Sequence, residues 1–150
     1  MAVLRERPYP GINFLVDLGD GNAKSLQAGV SEVVFPDARL HTLAFRSGNQ
    51  PTKDVRHLVT TTRYGTLILR RHAIGALDWY AWWNALRDGE PDATRNITIS
   101  LLNESRSDVV LVWKFQGAMP VNYTFSPLDA LGTEPLMESL EIAFERFEMA

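Results

Sequence analysis

Arg95-Asn96-Ile97-Thr98-Ile99-Ser100-Leu101-Leu102 sets Ile97, Ile99 and Leu101 against Asn96, Thr98 and Ser100. Successive side chains point to opposite faces of a strand, so this period of two describes a strand with one apolar and one polar face. The polar run Asn103-Glu104-Ser105-Arg106-Ser107 follows, and Asp108 to Gln116 supplies a partner, so the two segments read as a hairpin.

The same period recurs towards the N-terminus. Ile12, Phe14, Val16 and Leu18 alternate with Asn13 and Asp17, and Gly19-Asp20-Gly21-Asn22 is a turn signal. Leu26 to Phe35 is strand-like, but its phase slips near Ser31-Glu32 and predicts a bulge or bend. Arg39 to Arg46 reads as a third strand, and Ser47 to Asp54 as a long polar loop holding Gly48 and Pro51. Val55 to Thr62 and Tyr64 to Arg71 are rich in β-branched residues and adjacent enough to form another hairpin.

One helix is expected, from about Ala76 to Arg87. There Trp79, Trp82, Trp83 and Leu86 recur at the three-and-four spacing of a single apolar stripe, and Gly89 and Pro91 stand at its stop. Val121, Tyr123 and Phe125 mark a further strand, and Ser126 to Pro135 a loop. Pro135 to Met149 has the Glu, Leu and Met content of a helix. Leu140, Ile142 and Phe144 nevertheless alternate with Glu141, Ala143 and Glu145, which reads as strand. The expectation is a mainly β domain over residues 1–150, a β-barrel or sandwich of about eight or nine strands with one packed α-helix.

Composition narrows the classes of function. The 150 residues suit one domain. A net charge of −3 argues against a general nucleic-acid binder, whose affinity rests on clustered cations. Cysteine is absent, which removes disulfides, thiolate metal sites and a cysteine nucleophile. The N-terminal Met1 to Pro8 lacks a signal-peptide core and no run reaches the length of a membrane span, so synthesis in the cytoplasm is expected.

Catalytic patterns do not emerge. His41, His57 and His72 are dispersed without metal-ligand spacing. Gly29-Val30-Ser31-Glu32-Val33 lacks the second glycine of a nucleophile elbow. Asp17-Leu18-Gly19-Asp20-Gly21-Asn22 places its acids at the wrong offsets for a calcium loop. The sequons at Asn96, Asn103 and Asn122 matter only in a secretory pathway. The tryptophans read as anchors for the helix more readily than as a ligand platform. Arg70 and Arg71 fall on opposite strand faces and so cannot form one patch with Arg63, Lys53 and Arg56; intersubunit salt bridges or a solvated face are their expected uses. No enzyme, cofactor or metal is expected. The rival is a monomeric β-barrel holding a small ligand beside the tryptophans or Tyr123.

Several segments, in order, carry a resemblance. They are Tyr9 to Gly19, Tyr64 to Arg71 before the helix, the tryptophan-bearing helix, Trp113-Lys114-Phe115-Gln116-Gly117-Ala118-Met119-Pro120, and Glu138 to Ala143. Together they resemble the tail-tube proteins of contractile phage tails and extracellular contractile injection systems. The chain departs from that pattern at Phe35-Pro36-Asp37, at His72 and in the extended loop from Ser47 to Lys53.

The resemblance implies a structural, self-assembling subunit. Hexameric rings would stack into a hollow inner tube whose strands join in a continuous barrel, inside a sheath and between baseplate or hub and cap proteins. Cargo protein or DNA would pass through the lumen, and the particle would be a phage tail or an injection device, cytoplasmic or released. A main-shaft subunit and a tube-initiating baseplate subunit both fit. The strands at Arg39 to Arg46 and Val55 to Thr62 are the expected intersubunit elements, with Arg46, Ser47, Gly48, Asn49, Gln50, Lys53 and Arg56 at the interface. Ile97, Ile99 and Leu101 are expected to pack towards the helix, and alternating polar residues to face the lumen.

Overall fold

The computed structural model describes residues 2–20, 29–49 and 51–150. Its strands are β1 (Phe14–Asp17), β2 (Glu32–Val34), β3 (Ala38–Phe45), β4 (Arg56–Tyr64), β5 (Leu67–His72), β6 (Arg95–Leu102), β7 (Val109–Phe125), β8 (Met137–Ala143) and β9 (Arg146–Met149). Helix α1 (Asp78–Arg87) lies between β5 and β6. Two sheets result: a seven-stranded one in the order β1-β6-β7-β8-β5-β2, with β9 also on β7, and a two-stranded one of β3 and β4.

The expected strand at 121–125 is not separate, because β7 runs unbroken through 17 residues. Its first half pairs with β6 and β9, its second half with β8. Gly117, at φ 64°, marks the changeover, and the register shifts again between Pro120 and Asn122. A strand that bends in this way turns the corner between two layers. The expected C-terminal strand is likewise interrupted at Phe144 and Glu145, where Glu145 N–H still donates to Gln116 O (2.9 Å).

The sheet does not close: β1 and β2 are its free ends. The barrel expectation is therefore corrected for the single chain to an open, folded sheet. The expected hairpin of 55–62 with 64–71 is also corrected. β4 pairs with β3, whereas β5 pairs with β2 and β8. Gly65 explains the parting. Its N–H donates to Asp37 O (2.9 Å), and a Cβ there would clash with the Asp37 carboxylate, so the chain is pinned where the two sheets separate. Of the expected second strand only Glu32–Val34 is strand; residues 21–28 lie outside the described residues.

The core is built by alternation. Leu67 and Leu69 of β5, Ile97 and Ile99 of β6, Phe115 of β7, and Leu140 and Ile142 of β8 are buried together with Val16, Leu18, Trp79 and Trp82. Leu101 does not join them; it lines a groove with Phe14, Val33, Phe35 and Trp113 beside the open ends of the sheet. The helix starts at Asp78 instead of Ala76 and ends in paired bonds from Gly89 N–H to Leu86 O (3.0 Å) and Glu90 N–H to Ala85 O (3.1 Å). With Gly89 at φ 79°, this is a Schellman closure.

Candidate assembly interface

The β3–β4 hairpin is the element that the core does not explain. Every residue of β3 is exposed, as is every residue of β4 except Tyr64, which reaches back to the Phe144 and Phe147 rings (centroids 5.0 and 6.4 Å). Leu40, Leu43, Phe45, Leu58 and Val59 all stand in solvent. A two-stranded ribbon is marginal by itself in water, and unpaired strand edges invite pairing with another chain.

The register sorts these side chains. Residues directly opposite one another share a face. Arg39 opposes Arg63, His41 opposes Thr61, Leu43 opposes Leu58 and Phe45 opposes Arg56. The other face pairs Ala38 with Tyr64, Leu40 with Thr62, Thr42 with Val59 and Ala44 with His57. Between His41 and Thr42 the register shifts by one, leaving Thr60 as the extra residue of a bulge, its hydroxyl donating to His41 O (3.0 Å). In a regular strand Arg56 and Arg63, seven residues apart, would fall on opposite faces; because Thr60 is bulged out of the ladder, Arg39, Arg56 and Arg63 share one and the other holds no arginine or lysine.

The residues expected at the interface lie at the free end of the hairpin, all but Arg56 beyond its strands. Arg46, Ser47, Gly48 and Asn49 follow β3, while Lys53 and Arg56 lie on the return, all exposed. Gln50 lies outside the described residues. Phe45, Ser47, Asn49, Pro51 and Arg56 surround a small open hollow there.

Among the helix residues, Trp79 and Trp82 are buried, whereas Trp83 and Leu86 are half-buried. The Trp82 indole N–H donates to Ala93 O (2.6 Å), and the Arg95 guanidinium lies 4.9 Å from its ring. Arg87 lies over Trp83 at 4.8 Å.

Arg70 and Arg71 do part to opposite faces, but Arg71 is neither solvated nor at a subunit boundary. It is buried between Asp78 (2.6 Å) and Glu138 and stacks on Trp79 at 4.1 Å, inside a network that Tyr123 joins by donating its hydroxyl to Glu138. β5 aims it inward in phase with Leu67 and Leu69, a placement that follows from alternation once the buried face of β5 is known. Burial pulls the Arg71 pKa down, but the hydrogen bonds it donates to Asp78 and Glu138 outweigh it and hold the pKa above its ordinary value. Burial and Glu138 push the Tyr123 phenol up. Arg70, half-exposed, pairs with Glu32 at 3.0 Å.

Among the described residues no group of three His, Asp or Glu side chains is placed to hold a metal ion. Asp17 instead accepts from Gly19 N–H (2.9 Å). The open sheet and its unburied hairpin leave strand edges without partners among the described residues.

The chain belongs to the family described as T4-like virus tail tube protein gp19, whose model matches residues 10–148. It is thus a structural protein of the tail-tube class. Its fold is that of a chain in the anti-feeding prophage baseplate (TM-score 0.80, 23% identity, 97% of each chain covered). It is also that of a chain in the sheath–tube complex of an extracellular contractile injection system, PVC, in the extended state (TM-score 0.82, 22% identity, 97% of this chain and 93% of that one). Hcp1 from Flavobacterium johnsoniae is more distant (TM-score 0.57, 17% identity, 91% and 94% covered). No curated protein sequence matches the chain.

Proposed function

We propose that this protein is the repeating subunit of an inner tube, forming hexameric rings that stack into the hollow shaft of a contractile injection system or phage tail. The observation that carries the reading is the β3–β4 hairpin, fully exposed on a body of the tail-tube family. In a ring, the hairpin of each copy would pair edge to edge with the open sheet of its neighbour and complete the continuous barrel that one open sheet lacks. The contacts fall on the hairpin strands and on Arg46, Ser47, Gly48, Asn49, Gln50, Lys53 and Arg56.

Sheath, baseplate and cap proteins are the partners, in keeping with the sheath–tube, baseplate and tube-terminating cap particles in which chains of this fold occur. Protein or DNA cargo occupies the lumen. The function is mechanical: a rigid shaft driven through an envelope by sheath contraction.

Negative-stain electron microscopy of the purified protein, alone and with the sheath protein encoded beside its gene, tests this. Six-fold rings or hollow rods are expected. A species that stays monomeric with the sheath partner overturns the reading.

A further inference from the structure

Two exposed segments at opposite ends of the β5–β8 ladder combine opposite charge with exposed apolar side chains. The segment from Asp37 to Tyr64 contains five Arg or Lys and two Asp, a net +3; because the whole chain carries −3, the remainder carries −6. Arg56 and Arg63 make no ion pair among the described residues, and Arg39 pairs only with exposed Asp37. With them on the same hairpin face stand Leu43, Phe45 and Leu58.

The loop 126–136 has the complementary character. It contains Asp129 and Glu134 and no cation. Leu128 and Leu131 project from it at 87% and 94% exposure, among the most exposed large apolar side chains in the chain. The loop is nonetheless ordered: Ser126 N–H donates to Met137 O (2.9 Å), Met137 N–H to Ser126 Oγ (2.9 Å), and Leu131 N–H to Asp129 Oδ1 (3.0 Å). It curls round an open hollow lined by Asp129, Thr133, Glu134 and Met137.

These surfaces lie apart within one chain. The hairpin joins β5 through Gly65-Thr66 at Leu67, which opposes Ile142; the loop enters β8 at Met137, which opposes His72. They lie at opposite ends of the β5–β8 ladder, about 17 Å of strand apart. Two complementary patches at opposite ends of a subunit make a heterologous contact, which closes into a ring or propagates.

We infer that the arginine face of one copy's β3–β4 hairpin seats on the acidic, leucine-tipped 126–136 loop of a second copy. The inference rests on the tube reading and assigns its head-to-tail contact. Arg39, Arg56 and Arg63 face Asp129 and Glu134, while Leu43, Phe45 and Leu58 cover Leu128 and Leu131. The apolar pairs supply contact area and the charges set polarity, because hairpin against hairpin or loop against loop sets like charges together.

The chain has no cysteine, so single-cysteine variants report contacts directly. Phe45→Cys protein mixed with Leu131→Cys protein, assembled and mildly oxidised, is expected to give a disulfide-linked dimer that neither gives alone. In parallel, Arg56→Glu with Arg63→Glu is expected to raise the critical concentration for assembly roughly tenfold. Asp129→Arg with Glu134→Arg in the same chain is expected to restore it. All these side chains are exposed, so thermal melting of the monomer should be unchanged.

Tubes that form normally yet give no cross-link between positions 43, 45 or 58 and positions 128 or 131 overturn this contact and leave the tube reading standing. A chain that never assembles overturns both. Binding of a fluorescent single-stranded oligonucleotide that is lost on reversing Arg56 and Arg63, with assembly unaffected, assigns the arginine face to a polyanion and also overturns the contact.

Discussion

Arg71 and Glu138 oppose each other in register across β5 and β8 and form an ion pair with both side chains buried. Asp78, at the start of α1, closes the other side of the guanidinium, and the ring of Trp79 lies against it. The pair therefore joins two central strands to the helix.

Removing one partner leaves the other charged and dry. Arg71→Met should destabilise the monomer by about 3–5 kcal/mol, because Glu138 is left uncompensated, and Arg71→Met with Glu138→Met should recover much of that loss. Urea unfolding of an assembly-defective background compares the two. Equal loss in the single and double variants would contradict this.

Trp79 and Trp82 are both buried but differ in one hydrogen bond. The Trp82 N–H donates to Ala93 O, whereas the Trp79 N–H has no partner among the described residues. Trp82→Phe orphans a carbonyl and should cost about 1–3 kcal/mol more than the shared cavity penalty. Trp79→Phe deletes an already unsatisfied donor and should cost less. The ranking of the two melting temperatures checks it.

Thr60 is the surplus residue of the β3–β4 ladder. Thr60→Ala removes one exposed hydroxyl bond and should change stability by about 1 kcal/mol or less. Deleting Thr60 removes the bulge but leaves Arg56 and Leu58 an even number of positions from Arg63, on the same face, so tube formation should survive the deletion. Circular dichroism with negative-stain imaging checks both, and loss of tubes on deletion with the body folded would contradict this register.

The N-terminal arm carries a pH-dependent tie. Arg5 hydrogen-bonds Glu104 and holds its carboxyl down at about 2, below the usual 4.5, while Val3 N–H donates to Val110 O (3.0 Å). A depressed carboxylate contributes its full stabilisation above its unfolded pKa and loses it as pH falls. The arm should stay docked at neutral pH and loosen from about pH 4.5 down to about 2. Glu104→Gln should loosen it at neutral pH. Amide exchange at Val3 and a carboxyl titration by NMR read both.

Alternation decided much of this fold in advance. Ile97 and Ile99 against Thr98 and Ser100 define which face of β6 is buried, because a half-buried strand shows its burial in its own residues. The β6–β7 hairpin, the helix near Trp79 to Leu86 and the parting of Arg70 from Arg71 are local consequences of period and spacing. The β3–β4 pairing was not legible in this way. Val55 to Thr62 reads as a strand with either neighbour, and the choice rests on Asp37 clamping Gly65, a contact between residues far apart in sequence. The continuity of β7 was hidden for a related reason: Gly117 and Pro120 signal a stop locally, but partners on both sides carry the strand through the bend.

The sequence by itself determined a cysteine-free, mainly β structural subunit with one helix, and the order of segments that marks the tail-tube family. Those properties are written in neighbouring residues. Tertiary structure alone decided that Arg71 is buried, that the sheet stays open, and that the hairpin's arginines share one face opposite a distant acidic loop. Each depends on which strands meet and in what register, and register is set by packing across the whole chain.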